Sequence, residues 1–477
     1  MTTIRCPLCE AAQISPHEAA MVSDERIIRY YELNELATRV AGHLTEAGLV
    51  AGERVAIYLP ADWRYVAVYL GILRAGGTAC LINTRLPRAA VLAQIHQLGC
   101  RRVIAFLQDP SASDLAGLIV YHPSVLLAPR DEASGDRTWK VDLAQPATIV
   151  FTSGSTRDPK PAVLSYGNHY YSARGSNVNI RLASHDRWLL SLPLYHVGGL
   201  GIVFRCLLSG ATMVFPEPGQ SLEHNQGFYA ITHLSLVATQ LLRLLRLPVM
   251  PESFAQVKAI LLGGGPIPAS ALVEALRRGW PVLPSYGLTE MASQVCTASP
   301  QAPPAQRMNA GPVLRHRKLR INAGGEIEVS GDTLFMGYLE QGVLRPSRTE
   351  DGWFATGDLG ELDERGGLTV KGRRDFMFIS GGENIQPEEI ERALSELPEI
   401  EEALVVPVAD PEFGERPVAY VRYRVAAVPD EVVRERLALR LPKYKIPRAF
   451  LPWPDDVDSG RKPDRVQLTL EAQLKLL

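Results

Sequence analysis

Cysteine is scarce in this chain of 477 residues: six are scattered through it at irregular spacings. That is too few for the disulfide lattice that staples small secreted folds, and it leads us to expect reduced thiols in a cytoplasm. Cys6 and Cys9 form a CxxC pair, but no second pair follows to complete a four-thiolate zinc site, so the pair reads as a packed or mobile terminus before it reads as a metal centre. A zinc-protease motif is missing too, because Met21 stands where the second histidine should follow His17-Glu18. Long apolar runs are absent. The stretch from Tyr65 to Leu73 stops at Arg74, short of the roughly 18 residues a membrane span needs, and no basic start with an apolar core marks a secretion signal. An excess of one charge is also lacking. The 50 basic and 52 acidic residues leave a formal charge of −2, which provides no bulk field for a nucleic acid or an anionic membrane. Small molecules are the expected partners, and homo-oligomerisation is left open.

What the chain has is alternation. YYELNELATRVAGHLTEAGL carries apolar residues at helical spacing and stops at Gly48; RVAIYLP reads as a strand, and RYVAVYLGILRAGGTACLIN as helix, glycine stop and strand. The pattern returns in the middle third and predicts an α/β fold with doubly wound parallel sheets. One buried strand, Ala147 to Phe151, runs into TSGSTRDPKP. There Thr152, Ser153, Gly154, Ser155 and Thr156 can turn hydroxyls and backbone N–H groups toward a phosphate, with Lys160 adding positive charge. The stretch is not a Walker loop. Between about Ala310 and Val370 short segments separated by glycine and acidic turns predict a small antiparallel barrel or sheet. The segment after it has its own helix and strand pattern, that of a small α+β unit.

The candidate chemistry lies downstream of that phosphate turn, in a fixed order: SYGLTE at Ser285 to Glu290, TGD at Thr356 to Asp358, GRRD at Gly372 to Asp375 and SGRKPDR at Ser459 to Arg465. Gly264 and Gly265 follow an apolar strand and remove side chains where a flat adenine could lie against the backbone. The ring of Tyr286 can stack on that base. Thr289 and Glu290 put a hydroxyl for the α-phosphate beside a carboxylate for Mg²⁺, a hard cation that shares oxygen ligands with phosphates. Asp358 can accept two hydrogen bonds from a ribose diol, and Arg373 can reach phosphate or ribose oxygens as a fork of donors.

Together these motifs resemble the adenylate-forming superfamily of acyl-CoA synthetases, luciferases and peptide-synthetase adenylation domains, over nearly the whole chain. The narrower likeness, carried by SYGNHYYSARGSNVNIRL, LPLYHVGGLGIVFR, YGLTEMASQV and KGRRDFMFISGGENIQPEEIERAL, is to the ligases that join o-succinylbenzoate to coenzyme A in menaquinone synthesis. The resemblance implies two domains, residues 1–374 binding ATP and acid and a mobile unit of residues 375–477, hinged at Asp375. It implies that Tyr286 and Gly287 border the AMP site, that Lys462 is the catalytic lysine, and that Gly381 and Gly382 serve the coenzyme A step. ATP with Mg²⁺, an organic acid and coenzyme A are the implied ligands. His196 is implied to line the acyl pocket and to help orient the substrate.

Arg205 lies among Ile202, Val203 and Phe204. It reads either as a helix-end surface residue or as a clamp for a substrate carboxylate, with Ser293 and Gln294 as neutral donors nearby. The chain departs from the common family loop at Arg157 and Pro161, and it inserts Arg461 before Lys462. Arg157 bears on how readily the loop closes on pyrophosphate. Two alternatives therefore stay open at this level: a ligase for another aryl or fatty acid, and an adenylate-binding protein that has lost catalysis.

Overall fold

The helices expected from apolar spacing form where the sequence also caps them. Helix Tyr30–Glu46 starts with the Glu32 carboxylate accepting the Arg29 N–H at 2.7 Å, and buries Leu33, Leu36, Ala37, Val40 and Leu44 on one face. It ends at Ala47, and Gly48 turns the chain away with φ 79°. Helix Trp63–Arg74 is capped by Asp62, whose carboxylate accepts the N–H groups of Arg64 and Tyr65 at 2.8 and 3.3 Å. This helix is buried on nearly every side from Tyr65 to Leu73, as a helix apolar all round must be. Removing Ile72 to alanine there would cost about 2–5 kcal/mol.

These observations come from a computed structural model that describes residues 2–106, 117–130, 139–152, 159–217, 219–247, 252–380, 383–411, 413–454 and 464–476. Two eight-stranded sheets dominate it. The first runs Val343–Arg345, Gly337–Glu340, Pro161–Ser165, Pro146–Phe151, Thr78–Leu81, Arg54–Tyr58, Arg102–Ala105, Ile119–Tyr121. It is parallel from Pro146–Phe151 onward and antiparallel before it. The second runs Ser293–Thr297, Val282–Leu288, Ala259–Leu262, His233–Leu236, Arg187–Leu189, Thr212–Val214, Ala19–Val22, Ile27–Arg29, and is antiparallel only at its two ends. One hydrophobic core joins residues of both sheets with helices Tyr30–Glu46, Trp63–Arg74 and Val197–Ser209. This is the doubly wound architecture expected from the alternation.

The antiparallel segment expected after Ala310 divides. Arg317–Ile321, Glu326–Gly331, Phe354–Leu362 and Leu368–Arg373 form a four-stranded antiparallel sheet in that order. The hairpin between them, Gly337–Glu340 with Val343–Arg345, joins the edge of the first large sheet instead. Packing explains the division: Met336, Leu339 and Leu344 settle on the cluster of Val163 and Ile149, and the Met336 N–H donates to Val163 O at 2.9 Å.

From Phe378 on, the chain builds a separate sheet around the long pair Ile400–Asp410 and Gly414–Tyr423, with Phe450–Pro452 added in parallel. It has apolar clusters of its own. Ile385, Ile390, Leu394, Val405 and Leu437 pack in one, while Val406, Val418 and Tyr420 meet Leu468 and Ala472 of helix Arg465–Leu476 in the other. Among the described residues no helix is long and apolar enough to cross a membrane.

Candidate active site

The phosphate turn is closed at its base by the Thr152 N–H, which donates to Lys160 O at 2.9 Å. Ser153, Gly154, Ser155 and Thr156 lie outside the described residues, as do Gly381, Gly382 and Lys462. Strand Pro161–Ser165 leaves this base antiparallel to Gly337–Glu340, with Ala162 opposite Tyr338. The pairing brings three expected and unexpected groups together. Tyr338 donates its hydroxyl to Glu290 Oε1 at 2.5 Å, and the Lys160 ammonium sits 5.5 Å from the centre of the Tyr338 ring. Tyr338 was not legible as a site residue, because only the strand pairing, 48 positions from Glu290 in sequence, delivers it there.

Glu290 sits in the short turn Thr289–Met291 at the end of strand Val282–Leu288, with Thr289 beside it. Its main chain is held by the Phe335 N–H, which donates to Glu290 O at 2.8 Å. Burial raises its carboxyl above the usual range, and the Tyr338 hydroxyl works in the opposite direction. The turn that carries it is strained. Ala292 and Ser293 both have positive φ, 54° and 120°, values that L residues avoid. Gly287 makes the return strand feasible: a Cβ at that position would lie 2.2 Å from Ser293 O.

The residues expected at a ribose come from two sheets. Tyr286 donates to Asp358 Oδ2 at 2.6 Å, and Arg373, which faces Asp358 across the strand pair, donates to Oδ1 at 3.1 Å. Arg373 also donates to Thr356 O at 2.8 Å and to Asp375 Oδ2 at 3.3 Å. Asp358, Arg373, Tyr286, Glu290 and Thr289 are thus contiguous through hydrogen bonds and chain. Gly264, with φ 85°, and Gly265 follow strand Ala259–Leu262, and a side chain at Gly265 would meet nothing within 4 Å. Open backbone of this kind suits a flat ring.

On the acyl side, His196 caps helix Val197–Ser209 and stands edge-on to Tyr195 at 4.7 Å. Arg205, on the same helix, is a core residue and not a surface one. It is 2% exposed, its guanidinium lies 5.1 Å from the centre of the Trp188 ring, and Nη2 donates to Gln294 Oε1 at 2.8 Å and Ser293 Oγ at 3.4 Å. Nε has no hydrogen-bond partner among the described residues, and no carboxylate there pairs with the guanidinium. Burial pushes Arg205 down to about 10, and burial with the Arg205 charge pushes Arg317 down to about 9; both stay cationic at neutral pH. Gln294 is not a free donor. Its oxygen accepts from Arg205 and from Ser176 Oγ at 2.7 Å, and its amide donates to Thr297 Oγ1 at 2.6 Å, so it orients Arg205. Trp188 and Ser176 carried no sequence signal for this role. Each is far from Arg205 in sequence and reaches it only through the packing of strand Arg187–Leu189 and helix Tyr166–Ile180.

Asp375 lies in the turn Arg374–Phe376 with its side chain about half exposed. The backbone before it is gripped from the far side: Glu388 accepts the Arg373 N–H at 3.2 Å, and Gln386 donates to Arg373 O at 2.9 Å. Arg374 pairs with Glu326 at 2.6 Å.

Known proteins share this fold. A 2-succinylbenzoate--CoA ligase of Bacillus cereus is 34% identical over 463 residues, which is 94% of each chain. Among solved structures, the o-succinylbenzoate CoA synthetase of Bacillus subtilis in complex with the acyl-adenylate intermediate superposes with a TM-score of 0.88 at 31% identity, covering 98% of both chains. The same enzyme in complex with ATP and magnesium ion gives a TM-score of 0.87 at 31% identity, covering 98% of this chain and 100% of that one. The family described as AMP-binding enzyme matches residues 8–339, and its C-terminal domain matches residues 389–459. With Thr289, Glu290, Tyr286, Asp358 and Arg373 contiguous, and with matches of this extent, the chain belongs to the AMP-binding enzyme family.

Proposed function

We propose that the chain is an AMP-forming acid:CoA ligase acting on o-succinylbenzoate, in the menaquinone route. Arg205 is the observation that carries the choice of acid. A buried cation on an aromatic face, lacking a carboxylate partner among the described residues, fits an acid with two carboxylates: one is activated and the other must be taken into the pocket. Leaving that second carboxylate unpaired in a buried pocket would cost several kcal/mol. A fatty acid brings nothing for Arg205 to bind.

In the first half-reaction a carboxylate oxygen attacks the α-phosphorus of ATP and pyrophosphate leaves. Lys160 and the N–H groups of its turn hold the phosphates, Asp358 and Arg373 hold the ribose, and Tyr286 and Gly264–Gly265 border the base. Thr289 and Glu290 form a hard-oxygen pair, and no group of three or more His, Cys, Asp or Glu side chains able to hold a metal occurs among the described residues. That donor set fits Mg²⁺ shared with phosphates better than a fully protein-built cage; bound there with ATP, Mg²⁺ supplies charge neutralisation. Tyr338 fixes one oxygen of Glu290 and thereby orients the other. Lys462, from its motif, provides the cation for the developing charge. In the second half-reaction the coenzyme A thiol attacks the acyl carbon, AMP leaves and the thiol proton is released.

We take residues 1–374 as the ATP- and acid-binding domain and residues 375–477 as a unit that turns at Asp375. The turn withdraws Lys462 and brings Gly381 and Gly382 to the coenzyme A path. The test is pyrophosphate release across a panel of acids, followed by thioester detection. The reading requires o-succinylbenzoate to be preferred over benzoate and fatty acids, and equal use of a monocarboxylic analogue would sink it.

A further inference from the structure

The CxxC pair at the start of the chain takes no part in acid activation, yet it is built into a defined polar cluster. Cys6 is the N-cap of helix Pro7–Ile14 and Cys9 lies in its first turn, so both sulfurs share one helix end, where the helix dipole favours negative charge. A single nitrogen, Arg74 Nη2, lies 3.7 Å from Cys6 Sγ and 3.3 Å from Cys9 Sγ. Arg74 is pinned in place. Nη2 donates to Asn34 Oδ1 at 2.9 Å, Nη1 donates to Asn34 O at 2.9 Å and Thr38 Oγ1 at 2.7 Å, and the guanidinium lies 5.4 Å from the centre of the Trp139 ring. Trp139 O in turn accepts the Cys6 N–H at 2.8 Å. No carboxylate pairs with Arg74 among the described residues. The Cys9 thiol donates to Asn34 Oδ1 at 3.5 Å. The neighbouring Cys9, against the opposing effect of burial and with help from Arg74, holds Cys6 below the usual thiol range, while Cys6 and burial drive Cys9 above it. One sulfur is thereby prepared as a thiolate, and the other retains the proton.

We propose that Cys6 and Cys9 are an oxidisable dithiol, a thiol–disulfide exchange site separate from the ligase site, with a small disulfide such as oxidised glutathione as its oxidant. The Cys6 thiolate attacks one sulfur of the small disulfide. The S–S bond of the reagent breaks, a mixed disulfide forms on Cys6 and one thiolate leaves. Cys9 then gives its proton to a departing thiolate and attacks Cys6 Sγ, closing the intramolecular bond and expelling the second half of the reagent. Two electrons pass from the protein sulfurs to the small disulfide, which ends as two reduced thiols. Closure removes the thiolate that balances Arg74, so the reduced form is favoured in this setting and the pair is poised as an oxidising couple. Three of the four other cysteines are built-in controls: Cys80, Cys206 and Cys296 are fully buried, with 0% exposure, whereas Cys6 retains 9% and Cys9 5%.

The test uses the full-length folded protein. It is exposed to oxidised glutathione, quenched in acid, unfolded, alkylated and mapped by mass. The expected result is a peptide containing Cys6 and Cys9 that is lighter by a pair of hydrogens and resists alkylation, formed at least about tenfold faster than any modification of Cys80, Cys206 or Cys296. Cys9→Ser should stop at a glutathionyl adduct on Cys6, while Cys6→Ser should give no adduct and keep its ligase turnover. Wild-type protein in which Cys6 and Cys9 alkylate to the same extent as Cys80 after oxidation would overturn the proposal. An adduct on Cys9 in Cys6→Ser at the wild-type rate would overturn the assignment of Cys6 as the attacking sulfur.

Discussion

The two parts of the chain differ most in what they leave electrically unfinished. All ten histidines and all six cysteines lie in residues 1–374, and that part buries Arg205, Arg317, His169 and His233. Arg205 and Arg317 are held by neutral oxygens and, for Arg205, a ring face, with no carboxylate opposite among the described residues. Residues 375–477 contain no histidine or cysteine, and two of their well-buried cations have carboxylate partners: Arg465 meets Glu391 at 2.7 Å and Lys445 meets Glu389 at 2.5 Å. A region that completes its own charges can fold and move as a body. A region that keeps cations without counter-ions in its core is arranged for an anion from outside.

The comparison breaks most sharply at Lys462, the cation we propose the second part contributes to the first. Lys462→Ala should reduce adenylation about 10³-fold, roughly 4 kcal/mol of transition-state stabilisation, while a supplied acyl-adenylate is still converted to thioester. Single-turnover assays of the two steps separate these outcomes, and equal loss in both would remove Lys462 from adenylation. Next comes Arg205→Leu. It should lower kcat/KM for o-succinylbenzoate about 10²-fold, near 3 kcal/mol, with little change in ATP binding by calorimetry. If the acid is used as well as before, the buried cation has no ligand role.

A smaller effect sharpens the contrast through pH. Burial holds the imidazole of His169 down to about 3 and, against the pull of Asp186, that of His233 down to about 4. Both folded values lie below the ordinary value near 6.5, so below that pH the unfolded chain binds protons that the folded chain refuses. The stability they contribute is complete above about 6.5 and falls by about 1.4 kcal/mol per histidine per pH unit as pH drops toward the folded values. Urea unfolding at pH near 7.5 and near 5.5 should show the larger part losing stability while the histidine-free part keeps its midpoint; parallel losses would contradict the assignment. The smallest change is expected at the exposed pair of Arg246 with Glu401, which links the two parts. Arg246→Ala should alter stability by about 0.5 kcal/mol or less, measured by the same unfolding curves, and a loss several times larger would mean that the parts are welded together.

Most of this plan was legible where chemistry is local in sequence. The strand before Thr152, the acidic turn after Tyr286 and the residues Asp358 and Arg373 all sit within short motifs, and the alternation of apolar spacing delivered the parallel sheets; that Asp358 and Arg373 pair was seen only in the structure. What was not legible depends on distant segments meeting. Arg205 could be read as a surface residue because its burial is decided by Trp188 and Gln294, which arrive from other elements. The hairpin beginning at Gly337 looked like part of the small antiparallel unit, since strand periodicity does not say which sheet a strand will join. The backbone at Ala292 and Ser293 has no glycine to announce its positive φ; the strain is imposed by the close return of the chain past Gly287.

That hairpin also bears on how the protein is made. Strand Pro161–Ser165 leaves the phosphate turn early, yet its partner on one side, Gly337–Glu340, is not translated until much later. At about 5–20 residues per second of synthesis, this edge waits on the order of ten to forty seconds for its neighbour. For that interval the nascent chain presents PAVLS, largely apolar and unpaired on one edge, beside the loop proposed to hold the phosphates. An open edge of this kind pairs readily with whatever strand reaches it first. Low yield or aggregation on rapid overexpression therefore has a physical source in the order in which the first sheet is completed, independent of how stable the finished enzyme is.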